Sequence, residues 1–207
     1  DDIHDKSNKR RGIRSCYFAF GKKTAGLAVV DLLAYGRDFI RFASIPLEAQ
    51  HRIIAISDTT THFMVRGQES DNNPADISNY EDISKVYRHK TGALYALAGE
   101  AGAVAGGASE EDIRIIRSIC LNLGFVYQIG DDFKDKEEDK KLGKKTLLSV
   151  VGETQAVKCR QELEKQIGDE LAGLSKKANV GLFGDVVYRI LGSSAKYVPA
   201  SPQKRSL

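Results

Sequence analysis

Apolar residues recur every three or four positions along most of the chain, a spacing typical of one face of an α-helix. The first stretch with this spacing predicts a helix over residues 17–42. A second helix is predicted to begin at Pro46, because proline fits a first helical turn, and to continue to about Gln68. The polar stretch that follows is rich in turn-forming residues, and Ser78 or Asn79 is expected to cap the next helix.

The second half of the chain repeats the helical spacing. A helix of small residues is predicted from Lys90 to the pair Gly106 and Gly107, and its alanines and glycines are expected to permit close packing of helices. Ser109 then caps a long amphipathic helix with an acidic first turn, which the helix dipole favours. The remaining elements are predicted as a charged loop over residues 135–145 and helices near residues 153–174 and 181–191.

These patterns predict an all-α fold. Alternation of apolar and polar residues is scarce, and no hairpin dipeptide lies between β-branched runs. We therefore expect a single domain over residues 1–207, built as a bundle of long helices. The stretch from about residue 193 to residue 207 is expected to be a disordered tail.

The composition excludes several classes of protein. Hydrophobic residues make up 42% and charged residues 29% of the chain, and the mean hydropathy is −0.33, as in soluble globular proteins. The net charge of +3 is too small to indicate a nucleic-acid partner. No apolar run approaches the ~20 residues that cross a bilayer, so no transmembrane segment is expected. The three cysteines, Cys16, Cys120 and Cys159, are widely spaced, so we expect reduced thiols in a cytoplasmic protein.

Two acidic clusters with the same spacing are the first candidates for chemistry. Each has two adjacent aspartates and a third four residues after the first: Asp1, Asp2 and Asp5, then Asp131, Asp132 and Asp135. On a helix, positions i and i+4 share a face about 6 Å apart, so the carboxylates repel each other until a cation binds. Mg²⁺ is held by a few such oxygens together with water and phosphate. Either cluster alone is more often a solvated surface.

Basic residues accompany both clusters. Arg10 and Arg11 follow the first, and Lys144 with Lys145 follows the second, while Lys90 opens the small-residue helix. A guanidinium fork binds two phosphate oxygens at once, so these positions suit a diphosphate held through Mg²⁺. Taken singly, they are ordinary surface cations.

Six elements in order make the chain resemble the trans-isoprenyl diphosphate synthases, or polyprenyl synthetases. The match runs from Asp1 to about Gly152. The elements are DDIHD with KRRG (residues 1–12), FG (20–21), GQESD (67–71), KTGAL (90–94), FVYQIGDDFKD (125–135) and GKKTL (143–147).

The resemblance implies an isoprenoid-synthase fold, with mostly antiparallel helices around a central cavity, and a prenyl transfer. An allylic diphosphate loses pyrophosphate, and isopentenyl diphosphate attacks the resulting cation to give a longer linear product, with farnesyl or geranylgeranyl length expected. The family also implies a homodimer, or a heterodimer with a related subunit. The cofactor implied is Mg²⁺, with three ions in the substrate complex.

The resemblance also assigns roles to individual residues. Asp1 and Asp5 would hold two Mg²⁺ ions and Asp131 the third, with Asp135 and Asp132 in support. The allylic diphosphate would be bound by Arg10, Lys90 and Lys144, and isopentenyl diphosphate would face Arg11. The region where the cation forms and the proton leaves would be lined by Thr91 and Gln128.

Three departures from the family pattern keep alternatives open. No helices precede Asp1, so we expect either a truncated record or a chain without that half-site. Arg14, Ser15 and Tyr17 stand where the family has Pro-Thr and then His, and the stretch after Asp135 is short. A non-catalytic partner subunit of a synthase is therefore the main alternative. A class I terpene cyclase is a weaker one, because the KTG and GQxxD elements argue against it.

Overall fold

The computed structural model describes residues 2–177, 179–196 and 198, and these are overwhelmingly helical. The all-α prediction is confirmed. The elements in chain order are β1 Lys9–Arg10, β2 Ile13–Arg14, α1 Cys16–Arg41, α2 Leu47–Asp71, α3 Tyr80–Tyr87, α4 Ala93–Ala105, α5 Glu110–Lys134, α6 Lys136–Leu142, α7 Leu147–Val151, α8 Glu153–Ser175 and α9 Gly181–Ala195. A 3₁₀ turn covers Pro74–Asp76, and a π-helical segment, Arg88–Gly92, joins α3 to α4.

The chain forms two compact units, Asp1–Ala55 and Ile56–Leu207, and the division falls within α2. The prediction of a single domain stays a prediction. No helix in the described ranges is long and apolar enough to cross a membrane.

The first unit begins with a short hairpin that the sequence did not predict. β1 and β2 pair antiparallel, with Lys9 opposite Arg14. The two residues between them, Arg11 and Gly12, have φ angles of +52° and +83°, as two-residue hairpin turns require. The hairpin escaped prediction because its strands are only two residues long and polar, so no alternation is visible.

Helix α1 begins one residue before its predicted start and ends one residue before its predicted end, but it is interrupted. Gly21 takes φ +81° and ψ +166°, which are not helical, so the prediction of a continuous helix over residues 17–42 is wrong at this point. Ser15 caps the helix, because its side chain accepts a hydrogen bond from the Phe18 amide at 3.1 Å.

The second unit is organised around α5, which is apolar on most of its circumference. Ile119, Phe125, Val126 and Ile129 are fully buried there, and α5 packs against α4, α8 and α9. The predicted close packing of the small-residue helix is confirmed: a Cβ at Gly99 of α4 would overlap the Cys120 side chain of α5. α5 is thereby held from several sides, and its carboxyl end carries the second aspartate cluster.

Capping residues account for most of the correct helix boundaries. Asn79 forms a capping box with Asp82 at the start of α3, and Ser109 caps α5, both as predicted. The predicted charged loop over 135–145 is wrong, since Lys136–Leu142 is helix α6. Its acidic first turn and basic last turn both suit the helix dipole.

The last helix extends further towards the carboxyl terminus than predicted. Helix α9 continues to Ala195 and so takes in the first residues of the expected tail. Apart from residues 196 and 198, the rest of that tail lies outside the described residues.

Candidate functional site

The KTG element lies on the π-helical segment Arg88–Gly92, which is packed between two glycines of other helices. A Cβ at Gly67 of α2 would lie 2.8 Å from the His89 carbonyl carbon, and one at Gly124 of α5 would lie 2.7 Å from the Gly92 Cα. Only glycine permits such close approach of backbones. Single-turn π-helical segments are frequently found at functional sites, so this segment is a candidate for one.

Two side chains of this segment contact the other predicted motifs. The Lys90 Nζ lies 2.5 Å from an Asp71 carboxylate oxygen, and both side chains are about three-quarters covered. The Thr91 hydroxyl donates to the Gln128 side-chain oxygen at 2.9 Å. The structure therefore brings together residues predicted separately from the KTG, GQxxD and second aspartate elements.

At the end of α5, partly buried carboxylates gather beside a lysine. Burial raises the pKa of Asp131, and the nearby Asp135 and Asp139 raise it further, while Lys134 opposes this. Burial likewise raises the pKa of Asp139, against the effect of Lys144, whose Nζ lies 3.6 Å from that carboxylate. Carboxylates that repel each other in this way favour a bound cation.

Asp132 is directed away from this group and is buried. Its carboxylate accepts hydrogen bonds from the Tyr87 hydroxyl and from the Leu147 amide, the latter at 3.0 Å. Burial raises the pKa of Asp132 to about 7, although the bonds from Tyr87 and Leu147 favour the ionised form. The same oxygen, Oδ2, accepts both hydrogen bonds, and the support of a metal by Asp132 stays a prediction.

A cavity of about 360 Å³ lies between α6, the loop that follows it and the start of α8. Its charged lining consists of four lysines and two carboxylates: Lys136, Lys140, Lys144, Lys145, Asp139 and Glu153. The Lys136 Nζ lies 2.7 Å from Glu153, so part of this positive charge is already neutralised. The excess of lysines gives the cavity a positive potential, which suits an anion such as phosphate.

The first aspartate cluster lies in the first unit, and Asp1 is outside the described residues. Residues 2–6 form turns, so the expectation that this cluster lies on a helix is wrong for the part described. Asp2 accepts from Arg10 Nε at 2.9 Å, which places one predicted diphosphate ligand against the cluster. Asp5 and Arg11 are exposed.

No group of three or more His, Cys, Asp or Glu side chains in the described part of the chain is close enough to enclose a metal. Mg²⁺ is usually held by one or two carboxylates together with water and phosphate. Asp131 and Asp135 offer carboxylate oxygens of this kind, and their assignment as Mg²⁺ ligands stays a prediction.

Sequence reasoning missed three participants. Asp139 lies four residues after Asp135, a spacing that would place both side chains on one face of a helix. Because this stretch was predicted as a loop, the spacing was not used. Tyr87 precedes Lys90 by three residues, and nothing in its sequence position indicates a buried hydroxyl contact. The Leu147 amide carries no signal at all, since backbone donors are invisible in a sequence.

Comparison with known proteins identifies the family. Residues 1–150 match a family model described as polyprenyl synthetase. Geranylgeranyl pyrophosphate synthase 11, chloroplastic, from Arabidopsis thaliana is 30% identical over 190 residues, covering 82% of this chain and 53% of that protein. The chain thus spans about half the length of the first curated relatives it matches.

Solved structures share the fold. A geranyltransferase from Helicobacter pylori aligns with a TM-score of 0.77 at 22% identity, over 93% of this chain and 66% of that chain. A Helicobacter pylori geranyltransferase in complex with magnesium and isoprenyl diphosphate gives a TM-score of 0.74 at 21% identity, over 93% and 68% of the two chains. At these identities the likeness concerns the fold alone.

The match to the family model is the finding that assigns this chain to a protein family. It covers residues 1–150, which contain both aspartate clusters, the Lys90–Asp71 pair, the Thr91–Gln128 bond and Lys144. By this match the chain belongs to the polyprenyl synthetase family.

Proposed function

We propose that this chain is a Mg²⁺-dependent prenyltransferase that binds and ionises an allylic diphosphate. The reaction joins the allylic group to isopentenyl diphosphate and gives a longer linear trans-isoprenyl diphosphate. One observation carries the proposal: the Lys144 Nζ lies 3.6 Å from the Asp139 carboxylate, whose charge acts on Asp131 and Asp135 at the end of α5. Gln128, one turn before Asp131 on α5, accepts a hydrogen bond from Thr91.

The chain's cations would bind the departing diphosphate. Lys90 is paired with Asp71 and Lys144 with Asp139, so each ammonium is already held near the site before a ligand binds. A trianion placed there would compete with these carboxylates for the lysines. Arg10, with its planar fork, and Arg11 in the first unit are proposed to bind the allylic and isopentenyl diphosphates respectively.

The aspartates would hold the metal. Asp131 and Asp135, with Asp1 and Asp5 of the first cluster, are the proposed ligands, and three ions is the expected number. Bound Mg²⁺ would supply positive charge to the leaving pyrophosphate. The magnesium and isoprenyl diphosphate in the Helicobacter pylori structure support this assignment for a protein of the same fold.

Thr91 and Gln128 would act where the allylic cation forms. Their oxygens are joined by a hydrogen bond of 2.9 Å, so the lone pairs of both are fixed in direction. Oriented oxygen dipoles stabilise a developing positive charge at no cost in reorganisation. We infer that these two side chains stabilise the cation and lie near the proton that is lost.

The names of the relatives favour a short product. The curated relatives include geranylgeranyl synthases from a plant and an archaeon, at 30% and 31% identity. We therefore propose a product of geranylgeranyl or farnesyl length.

Association with a related subunit, as homodimer or heterodimer, is proposed as well. Helix α1 supports it, because large apolar side chains along that helix are exposed, among them Leu27, Val30 and Phe39 at 73%, 67% and 67%. So many exposed large apolar side chains on one helix are typical of a surface that binds another protein.

The alternative, a non-catalytic partner subunit, is favoured by one feature of the first unit. Ser15 stands in the segment that departs from the family pattern, and its hydroxyl is committed to the Ser7 carbonyl at 2.5 Å and the Phe18 amide. It is therefore not free to bind a substrate.

Incubating the purified chain with Mg²⁺, isopentenyl diphosphate and dimethylallyl, geranyl or farnesyl diphosphate separates these functions. We expect an elongated diphosphate, detected by mass spectrometry, that disappears when EDTA is added. Elongation only in the presence of an active synthase subunit would support the partner-subunit alternative. Release of pyrophosphate without isopentenyl diphosphate would instead indicate a cyclase.

A further inference from the structure

Three buried groups from three helices meet behind the second aspartate cluster. They are the Tyr87 hydroxyl at the end of α3, the Asp132 carboxylate near the end of α5 and the Leu147 amide at the start of α7, and these residues are only 4%, 2% and 0% exposed. The hydroxyl donates to Asp132, and the amide donates to the hydroxyl at 2.8 Å and to Asp132 at 3.0 Å. We call this set the three-helix junction.

Each member of the junction adjoins a residue of the proposed site. Asp132 directly follows Asp131, and Leu147 is three residues after Lys144. Tyr87 is three residues before Lys90, on the helix that leads into the π-helical segment. The junction therefore connects the backbone segments that carry the carboxylates and both lysines.

The Leu147 amide depends on the junction for its hydrogen bonds. The first amides of a helix have no partner within the helix. In α7, the Thr146 side chain satisfies the Ser149 amide, and the junction satisfies the Leu147 amide. Residues 143–146, which connect α6 to α7, form the Lys144 loop. Since Leu147 is fully buried, water cannot replace these acceptors, so the end of this loop is fixed by Tyr87 and Asp132.

The ring of Tyr87 has a separate role from its hydroxyl. It packs edge-on against Phe125 with ring centroids 5.4 Å apart. A phenylalanine would keep this contact and the same shape. It would remove one hydrogen bond from Asp132 and one from the Leu147 amide.

We propose that Tyr87 is a positioning residue that fixes the Lys144 loop relative to Asp131 and Asp135. Its hydroxyl sets the distance between the ammonium and the carboxylates that together would hold Mg²⁺ and diphosphate. The inference rests on the proposed function, and it adds a residue that lies outside every recognised motif.

The test compares Tyr87→Phe with Tyr80→Phe by calorimetric titration of inorganic pyrophosphate in excess Mg²⁺. Tyr80 is a matched control, because it lies on the same helix and its hydroxyl contacts Cys159, 3.5 Å away, rather than the junction. Loss of an outer partner of a metal site commonly costs ten- to a hundredfold in affinity, so we expect Tyr87→Phe to bind about tenfold more weakly. Tyr80→Phe should match the unaltered chain.

A purely structural role would give a different result. Tyr87→Phe would then lower the midpoint of thermal unfolding while leaving the pyrophosphate affinity unchanged, and this outcome would overturn the proposal. As a direct check on the junction, amide hydrogen exchange at Leu147 should accelerate in Tyr87→Phe and stay slow in Tyr80→Phe. Unchanged exchange would also overturn it.

Amide exchange at Leu147 is measured without any ligand, so it tests the junction independently of the pyrophosphate titration. If the unaltered chain binds no pyrophosphate with Mg²⁺, the proposed function fails; if only the Tyr87 effect is missing, this inference alone fails.

Discussion

Lys90 illustrates how single residues prepare this chain for an anion. Its ammonium lies 2.5 Å from Asp71, and the two side chains remain 22% and 24% exposed. Because the pair is about three-quarters covered, the carboxylate holds the lysine in one position. We propose that a diphosphate, with its higher negative charge, replaces the carboxylate when it binds.

We expect Lys90→Gln to weaken pyrophosphate binding in excess Mg²⁺ by at least about tenfold. A hydrogen bond to a charged group contributes roughly 1.5–3 kcal/mol, and the amide cannot replace its charge. Calorimetric titration measures this affinity. Lys85→Gln is the control, since Lys85 is exposed on the neighbouring helix α3 and should bind within about twofold of the unaltered chain. Equal affinities for the two variants would contradict the role of Lys90.

Two buried cysteines lead us to expect that the stability of the fold decreases at alkaline pH. Burial raises the pKa of the Cys120 thiol to about 11 and also raises that of Cys159. Because the folded state holds these protons more tightly than the unfolded chain, the thiols leave stability unchanged below their ordinary pKa. Above it, the unfolded chain loses its thiol protons first, so folding becomes less favourable as the pH rises further.

The midpoint of urea unfolding, measured from about pH 7 to about pH 10, checks this prediction and should fall with pH. Alkylation followed by peptide mass spectrometry checks the burial on which it depends. At about pH 8, iodoacetamide should modify the exposed Cys16 in the folded chain and should modify Cys120 and Cys159 only after denaturant is added. Modification of Cys120 in the folded chain at the rate of Cys16 would contradict the burial described for α5.

At the scale of elements, the close approach of α2 and α5 to the π-helical segment sets the position of Lys90 and Thr91. Gly67 and Gly124 permit this approach, because a side chain at either position would overlap backbone atoms of the segment. Backbone can shift only together with its helix, so this packing resists change more than a contact between side chains would.

Gly67→Ala tests the packing at this position. Overpacking of this kind commonly costs about 1–3 kcal/mol, so we expect a lower free energy of unfolding in urea. Gly102→Ala on α4 is the control, and we expect it to raise the free energy of unfolding. A Cβ at Gly102 would meet nothing within 4 Å, so alanine should stabilise the helix by about 0.5–1 kcal/mol. If both variants are stabilised, α2 does not approach the segment as described.

The elements differ in how far the sequence predicts them. Helices α5 and α8 were predicted within a residue or two because capping residues or strong apolar periodicity mark them. Helix α6 was missed, since six of its seven residues are charged and they form no apolar stripe. The π-helical segment could not be predicted either, because it depends on glycines from two helices distant in sequence.

The functional site was likewise predicted only in part, because some of its features depend on contacts between residues distant in sequence. Lys90, Thr91, Gln128, Asp131 and Lys144 were identified from sequence patterns, and the structure brings Thr91 into contact with Gln128. The inward direction of Asp132 was not predictable. Both aspartates of the pair look equivalent in sequence, and only the packing of α3 and α7 against α5 buries one of them.

For the whole molecule, the described contacts place most of the proposed chemistry in the unit Ile56–Leu207. The family match over residues 1–150 includes the first aspartate cluster and the hairpin with Arg10 and Arg11 as well. We propose that the end of α5 and the Lys144 loop bind a diphosphate together with a divalent cation.

The most direct measurement is an amide NMR spectrum of the chain with pyrophosphate and Mn²⁺, a paramagnetic substitute for Mg²⁺. We predict broadening of the Asp131, Asp135 and Lys144 signals, dependent on pyrophosphate, with no effect at Gly173 near the far end of α8. The broadening should vanish in Asp131→Asn and persist in Asp169→Asn, an exposed aspartate of α8. Broadening that avoids residues 131–144, or that is unchanged in Asp131→Asn, would contradict the account.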